Sequence, residues 1–287
     1  IFSIVIIIVG AISLLINNGP KLSIDFKGGT LIAVNYTGLI DINDVRTSME
    51  KVDIEGQIFD FSKAEIKHFG DLSNVALRIA SFENEPENFT KYLTDKMASL
   101  YPSLIPENEG DFILAIEKVG PKIGAELRGD AIMAIISALL LILVYITVRF
   151  ELKYAVGAIA ALSHDVLVTL GIFSLFGYEI SLAVIAAFLT IVGYSLNDTI
   201  VIFDRVRENA ALLKKSKLTS VINQSVNDSL SRTIVTSLTT FFVVLILFIF
   251  GGEVLHTFSF AMIIGVLVGT YSSIFVASPV VIYMDKS

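Results

Sequence analysis

The fold follows from the run at residues 180–203, which reads ISLAVIAAFLTIVGYSLNDTIVIF. Its only charged side chain is Asp198. A helix needs about 20 predominantly apolar residues to cross the hydrocarbon core of a bilayer. This run is therefore predicted to be a transmembrane helix that carries a carboxyl group.

Comparable apolar runs occur on both sides of it, at residues 1–16, 131–148, 154–176, 234–250 and 258–283. Hydrophobic residues make up 54% of the chain, above the 45–50% or so typical of soluble domains. We predict a multi-pass α-helical membrane protein with six transmembrane helices. For the first run, a cleaved signal peptide is the alternative. The absence of cysteine excludes disulfides and thiolate chemistry.

Between the first two spans lies a polar segment, residues 17–130, which holds 12 of the 21 Lys and Arg. Its hydrophobic pattern predicts strands at 30–36, 57–61, 74–80 and 111–117, and helices at 41–52 and 86–101. The order β-α-β-β-α-β is that of a ferredoxin-like α+β domain. No nucleophile–base pair or phosphate-binding loop is recognisable in this segment. We therefore expect a binding or lever module and no enzyme activity.

The remaining nine basic residues indicate the orientation. In a six-helix topology all nine fall on one side, whereas the short loops on the other side, 177–179 and 251–257, contain none. Because cytoplasmic loops are enriched in Lys and Arg, residues 17–130 are predicted to be extracytoplasmic. The cytoplasmic loop 204–231 contains Lys214, Lys215 and Lys217, and we expect an interfacial helix there, lying on anionic membrane lipid.

Three ionisable residues lie in or at the ends of predicted spans, where such groups usually mark function. Asp165 follows His164 in the third span, Asp198 follows Asn197 in the fourth, and Arg232 opens the fifth. Each has a structural alternative. Arg232 would then extend to the headgroups, and Asp165 would serve as a hydrogen-bond acceptor between helices.

The fourth and fifth spans are antiparallel, so Asp198 and Arg232 are expected at similar depth. The arginine favours the ionised carboxylate, and protonation of the carboxyl releases the arginine. Such a pair would couple proton uptake to helix rearrangement; a fixed salt bridge is the alternative.

Several motifs resemble those of one known family. Residues 193–209 read GYSLNDTIVIFDRVREN, residues 25–30 read DFKGGT, and residues 119–121 read VGP. Together with His164-Asp165 and Ser231-Arg-Thr233, they are similar to the SecD/SecF family, the paired accessory subunits of the Sec preprotein translocase. The resemblance covers essentially the whole chain. It implies the resistance-nodulation-division transporter architecture and a location in the cytoplasmic (inner) membrane.

The resemblance also implies a function. The family uses the proton motive force for late, ATP-independent protein translocation, so the implied partners are SecD, the Sec translocation channel and unfolded preprotein. Asp198 and Arg232 match the family's proton-coupling Asp and Arg, and Asp165 matches the His-Asp pair of the third span. No cofactor, metal or nucleic acid is expected. The alternatives are a proton-driven exporter of lipids or small molecules, and a structural scaffold with fixed charge pairs.

Overall fold

The computed structural model describes residues 2–82, 85–213 and 216–285. It divides into two compact units. One, the membrane unit, comprises residues 1–21 and 131–287, and its first element is helix α1 (Phe2–Ile16). The other, the inserted domain, comprises residues 22–130.

The inserted domain is an antiparallel sheet with helices on one face. In chain order its elements are α2 (Ile24–Lys27), β1 (Gly29–Asn35), α3 (Ile42–Met49), β2 (Lys51–Ile54), β3 (Gln57–Asp60), β4 (Glu65–Phe69), β5 (Asp71–Ile79), α4 (Phe89–Leu100) and β6 (Ile113–Val119). The main sheet has the strand order β4-β5-β1-β6, and every neighbouring pair is antiparallel. With α3 before β4 and α4 before β6, this is the predicted ferredoxin-like arrangement.

The predicted strand at 57–61 is present as β3, but its place in the topology is wrong. The predicted strand 57–61 lies outside the main sheet, because β3 pairs only with β2 in a separate hairpin. The second strand of the main sheet is instead β4, which the sequence pattern did not reveal. At the hairpin turn, Glu55 and Gly56 both have positive φ, 55° and 83°, as two-residue hairpin turns require. The predicted helix 41–52 ends early because Lys51–Ile54 alternates exposed and buried side chains as a strand.

The core of the inserted domain lies between the sheet and its two helices. Side chains from the inner face of the sheet pack against α3 and α4, and the largest fully buried ones include Tyr36, Ile32, Leu77, Met49, Phe89, Leu93 and Met97. The Tyr36 hydroxyl donates a hydrogen bond to the Met97 carbonyl over 2.8 Å, which satisfies the polar end of a buried ring.

The membrane unit continues with α5 (Pro121–Arg149), α6 (Leu152–Phe176), α7 (Leu182–Leu212), α8 (Leu218–Phe250), α9 (Gly252–Ser272) and α10 (Ser278–Asp285). A π-helical turn, Ser273–Ala277, joins α9 to α10. Within the described residues, five helical stretches are long and apolar enough to cross a membrane, with α9, the π turn and α10 forming one of them. The predicted first span is α1, a shorter apolar helix of 15 residues.

The fourth and fifth membrane helices extend well beyond their predicted ends. Most of the predicted loop 204–231 is helical, since α7 continues to Leu212 and α8 begins at Leu218. The prediction of a separate interfacial helix is therefore wrong for the described residues of this segment. Lys214 and Lys215 lie outside the described residues. Hydropathy marks only the apolar part of a helix, whereas polar helix formers such as Arg205 and Glu208, paired at 2.9 Å, extend it.

Small residues bring the membrane helices into close contact. A Cβ added at Gly10 of α1 would lie 2.5 Å from the Gly171 Cα of α6, and Ser13 Oγ is 2.8 Å from Ser174 Oγ one turn further along. In α9, a Cβ at Gly269 would lie 3.1 Å from the Ser195 Cβ of α7. Close approach through small residues is the usual way that helices associate in lipid, where apolar side chains gain little by leaving the solvent.

Candidate proton-transfer site

A buried carboxyl group occupies the middle of the helix bundle. Asp165 lies near the centre of α6, and its residue is 1% exposed. The helix is apolar on both sides of it, and α6 packs against α1, α7 and α9. A charged side chain in this position requires hydrogen-bond donors, since water does not solvate it.

Hydrogen bonds from three helices reach the Asp165 carboxyl. Ser195 Oγ of α7 donates to Oδ2 over 2.6 Å, and Ser272 Oγ of α9 donates to the same oxygen over 2.8 Å. His164 Nδ1 lies 2.9 Å from Oδ1. The carboxyl therefore has partners in its ionised form. It also has hydroxyl oxygens nearby that accept a hydrogen bond when it is protonated.

Two glycines of α9, Gly265 and Gly269, make this geometry possible. Gly269 lies directly against Ser195, so that α7 and α9 approach closely at the level of the carboxyl. One turn earlier, a Cβ at Gly265 would lie 2.5 Å from the Ile191 Cδ1. Because the two glycines bring the helices close together, the short side chains of Ser195 and Ser272 can reach Asp165.

Asp198 lies one turn after Ser195 on the same helix. Its residue is 3% exposed, and its Oδ2 is buried without a hydrogen-bond partner among the residues that the structure describes. The neighbouring Thr199 hydroxyl donates to the Ser195 carbonyl over 3.2 Å, within its own helix. Asp198 is therefore buried in a less complete polar environment than Asp165.

The predicted Asp198–Arg232 pair is not formed in this conformation. Among the described residues no ion pair within 4.0 Å joins the two side chains, and Arg232 is exposed on the surface of the bundle. Asn197, predicted to support the site, is also exposed. The structure thus brings Asp165 and His164 together and places Asp198 one helical turn from the same cluster. Asn197 and Arg232 are exposed, and the Arg232 charge acts on Asp198 without a direct ion pair.

Ser272 is the residue that the sequence analysis missed. Its available signal is a pair of hydroxyl residues, Ser272-Ser273, in an otherwise apolar span. Ser195 lies three residues before Asp198 in the sequence, but its hydroxyl donates to Asp165 of the neighbouring helix and not to Asp198. Most other hydroxyls in the helices bond to a carbonyl of their own helix, as Thr169 does to Asp165 O over 2.8 Å.

A second polar cluster holds the helices together at the predicted cytoplasmic end. Asp204 of α7 accepts from Arg149 of α5 at 2.8 Å and lies 3.3 Å from Arg207. Further along, Asn209 Nδ2 lies 3.0 Å from both Ser225 Oγ and Asp228 Oδ2 of α8. These residues of the 193–209 motif connect α7 to its neighbours and are separate from the buried carboxyls.

The glycine pair of the DFKGGT motif lies where the chain enters the inserted domain. Gly28 and Gly29 have φ of 75° and 145°, which favour glycine. A Cβ at Gly28 would also lie 2.8 Å from the Pro121 Cα, and one at Gly124 would lie 2.9 Å from the Gly28 N. The GG and VGP motifs therefore contact each other, and a positive φ alone does not account for the glycines.

The fold and the site define a class: a multi-pass membrane protein with an inserted ferredoxin-like domain and carboxyls buried between its spans. The family description "Protein export membrane protein SecD/SecF, C-terminal" matches residues 107–287, and "SecD/SecF GG Motif" matches residues 13–37. The chain belongs to the SecD/SecF protein-export family.

Individual relatives agree with this assignment. The protein translocase subunit SecF of Calditerrivibrio nitroreducens is 43% identical over 285 residues, covering 98% of this chain and 90% of the relative. That of Rhodothermus marinus is 44% identical over 288 residues, with coverages of 98% and 89%. The crystal structure of SecDF, a translocon-associated membrane protein from Thermus thermophilus, matches 99% of this chain at 36% identity and a TM-score of 0.85. This chain spans 37% of that longer SecDF chain.

Proposed function

We propose that this chain is a subunit of the Sec preprotein translocase that uses the proton motive force. Together with SecD, it assists late, ATP-independent movement of unfolded preprotein across the cytoplasmic membrane. The observation that carries the proposal is the Asp165 carboxyl, buried among three helices of a chain whose relatives are named translocase subunits. In the proposed orientation, residues 17–130 lie on the extracytoplasmic side, where preprotein emerges.

Protonation is the reaction that these residues suit. A carboxyl group in the middle of the bilayer gains or loses a full charge when it exchanges a proton, and this changes which hydrogen bonds it makes. One elementary charge crossing 100 mV supplies about 2.3 kcal/mol, enough to shift a helix equilibrium by roughly fifty-fold. Asp165 and Asp198, on adjacent helices, provide two such groups within one helical turn of a shared serine.

A SecD-type partner fits the state of Asp198. The Asp198 Oδ2 is buried and lacks a partner in the described part of the chain, which is costly for an ionised group. Arg232 lies exposed on the bundle surface. In the proposed cycle, helix movement against SecD brings Arg232 to the ionised Asp198, and protonation of Asp198 releases it.

One observation favours the alternative, a proton-driven exporter of lipids or small molecules. An apolar cavity of about 450 Å³ lies between α5, α6 and α7, within the size range of small-molecule sites. It is lined by apolar residues such as Leu139, Val166 and Phe188, with Ser163 as the one hydroxyl among its lining residues. A lipid tail is the kind of cargo that such a cavity would admit.

The experiment is Asp198→Asn in membrane vesicles that contain the chain with SecD and hold a membrane potential. Proton flux and completion of preprotein translocation are measured together, and both should fall at least tenfold. Glu208→Gln is the matched control, because Glu208 is an exposed carboxyl of the same helix. Proton-dependent secretion at the normal rate in Asp198→Asn would exclude the coupling role. Loss of lipid or small-molecule export with secretion intact would favour the exporter.

A further inference from the structure

The last membrane helix is irregular just beside the buried carboxyl. Its regular α-helical hydrogen bonding ends at Ser272 and resumes at Ser278, with the π turn of five residues between. Pro279 explains the irregularity. Proline lacks an N–H, and in a regular α-helix its ring clashes with the carbonyl four residues earlier, here that of Phe275. The wider π turn removes this clash, and such turns occur frequently at functional sites.

The π turn is built into the packing of the bundle. Ser278 Oγ donates to the Ser273 carbonyl, inside the turn, over 3.2 Å. Ser273 and Ala277 are fully buried. A Cβ at Gly157 of α6 would lie 2.9 Å from the Ala277 carbonyl oxygen, so the turn rests directly on the helix that carries Asp165.

Ser272, the last residue before the turn, has two acceptors for one hydroxyl proton. Its Oγ lies 2.8 Å from Asp165 Oδ2 and 3.2 Å from the Gly269 carbonyl of its own helix. A hydroxyl donates to one of them at a time. By contrast, the one hydrogen bond that Ser273 Oγ donates within the described residues goes to the Thr270 carbonyl, over 3.1 Å.

We propose that Ser272 is a positioning residue for proton exchange at Asp165, held at its distance by the π turn. When Asp165 is ionised, the Ser272 hydroxyl donates to it. When Asp165 takes up a proton, the carboxyl donates to Ser272 Oγ, and the Ser272 hydroxyl turns to the Gly269 carbonyl. The inference rests on the proposed function in assigning Asp165 a proton that moves.

The π turn matters because helix register fixes where Ser272 points. Each residue turns an α-helix by about 100°, so loss of the extra residue in the π turn would rotate α9 against α10 by that amount. Gly265 and Gly269 hold α9 in place, because they pack against Ile191 and Ser195 of α7. Helix α10 is held by Val281, which packs against Gly157 of α6, and by the Lys153–Asp285 ion pair at 3.0 Å. A regular helix would therefore turn Ser272 away from Asp165 or disrupt one of these contacts.

Other ionisable groups on the elements around α6 are few. Helix α1 has none, α7 brings Tyr194 and Asp198 at this level, and α9 brings Glu253, His256 and Tyr271. On α6 itself, His164 lies against the carboxyl. Helix α10 has Tyr283 and Asp285, and Asp285 pairs with Lys153 at the far end of α6. The Asp165 carboxyl is thus surrounded by neutral hydroxyls and one imidazole, with Asp198 as the nearby carboxyl.

The test is the pH titration of the Asp165 carboxyl in the full chain with SecD in lipid vesicles. It is followed by the infrared band of the protonated carboxyl and identified by its loss in Asp165→Asn. Removing one donor to a carboxylate favours its protonated form, so Ser272→Ala should raise the titration midpoint by about one to two pH units. Ser272→Cys, with a weak S–H donor, should give an intermediate shift. Ser273→Ala is the matched control and should leave the midpoint unchanged.

The outcomes separate this inference from the proposed function. Equal midpoints in Ser272→Ala and Ser273→Ala, or no titration of Asp165 between pH 4 and about 10, would overturn the role of Ser272. Neither result would bear on the proposed function, which the Asp198→Asn experiment tests separately. A shifted midpoint together with normal proton-driven secretion in Asp165→Asn and Asp198→Asn would support Ser272 and refute the proposed function. Pro279→Ala should shift the midpoint in the same direction as Ser272→Ala if the helix becomes regular.

Discussion

The crossing of α1 and α6 allows a quantitative test of the membrane unit. The change is Gly171→Ala. The added Cβ would lie 2.9 Å from the Gly10 Cα, whereas ordinary contact begins at 3.4 Å. Because the obstacle is backbone and not a flexible side chain, the two helices must separate by about half an ångström.

The expected cost follows from the contacts that this separation weakens. Overpacking a close contact typically costs about 1–3 kcal/mol, and an interhelical hydrogen bond such as Ser13–Ser174 contributes about 0.6 kcal/mol in membrane helices. Alanine also raises the helix propensity by up to about 1 kcal/mol, which partly offsets the loss. Gly193→Ala isolates that gain, since nothing in the described part of the chain lies within 4 Å of a Cβ at Gly193. The two variants should therefore differ by about 1–3 kcal/mol.

Disulfide cross-linking provides the assay. The chain contains no cysteine, so Ser13→Cys with Ser174→Cys introduces a single pair at hydroxyl positions 2.8 Å apart, well suited to a disulfide. Under mild oxidation this pair should cross-link rapidly, several-fold more slowly with Gly171→Ala, and at the original rate with Gly193→Ala. Thermal unfolding in detergent should rank the glycine variants in the same order. Identical rates and midpoints for the two alanine variants would refute the close crossing.

Two further variants test the polar contacts of each unit. Asn209→Ala removes donors to Ser225 and Asp228 and should lower stability by about 1–3 kcal/mol, measured as faster hydrogen exchange at the end of α7; Asn227→Ala, an exposed amide bonded to its own helix, should not. Tyr36→Phe should lower the stability of the inserted domain by about 1–3 kcal/mol, measured by hydrogen exchange of β1 and β5. Tyr92→Phe, which removes an exposed hydroxyl, should lower it much less. Equal effects of the two variants would show that the bond to Met97 is unimportant. Burial raises the pKa of Tyr36 above its ordinary 10.0. The unfolded chain therefore loses this proton first, and the stability from the neutral phenol is lost as pH rises above about 10, a loss absent in Tyr36→Phe.

The sequence predicted the membrane spans because their signal is long and local. The apolar run 180–203 is unmistakable, but the helix containing it continues to Leu212 through polar residues. The end of a helix depends on contacts with neighbours, here the bonds from Asn209 to α8, and hydropathy does not report them. In the inserted domain the strand order was right in outline, but Glu65–Phe69 is too short and too polar to be recognised without the sheet that it joins.

The site was predicted only in part for the same reason. The cost of an ionisable group in lipid identifies Asp165 and Asp198 from sequence alone. The partners of Asp165 depend on the crossing of α6, α7 and α9, which brings Ser195 and Ser272 from 30 and 107 residues away. Likewise, similar depth on antiparallel helices does not ensure a direct ion pair: Arg232 is exposed, and its charge acts on Asp198 without a contact within 4.0 Å.

The contact between Gly28 and the start of α5 has a consequence for how such proteins evolve. Two segments near the ends of the inserted domain, α2 and residues 120–124, lie side by side, so the first and last parts of the domain meet each other. Domains with adjacent ends are readily transplanted between hosts, because removal or replacement leaves the remaining backbone nearly undisturbed. A gene encoding a bare helix bundle could thus acquire, duplicate or exchange this module in a single recombination event. Glycine at position 28 preserves the narrow junction that makes such an exchange possible.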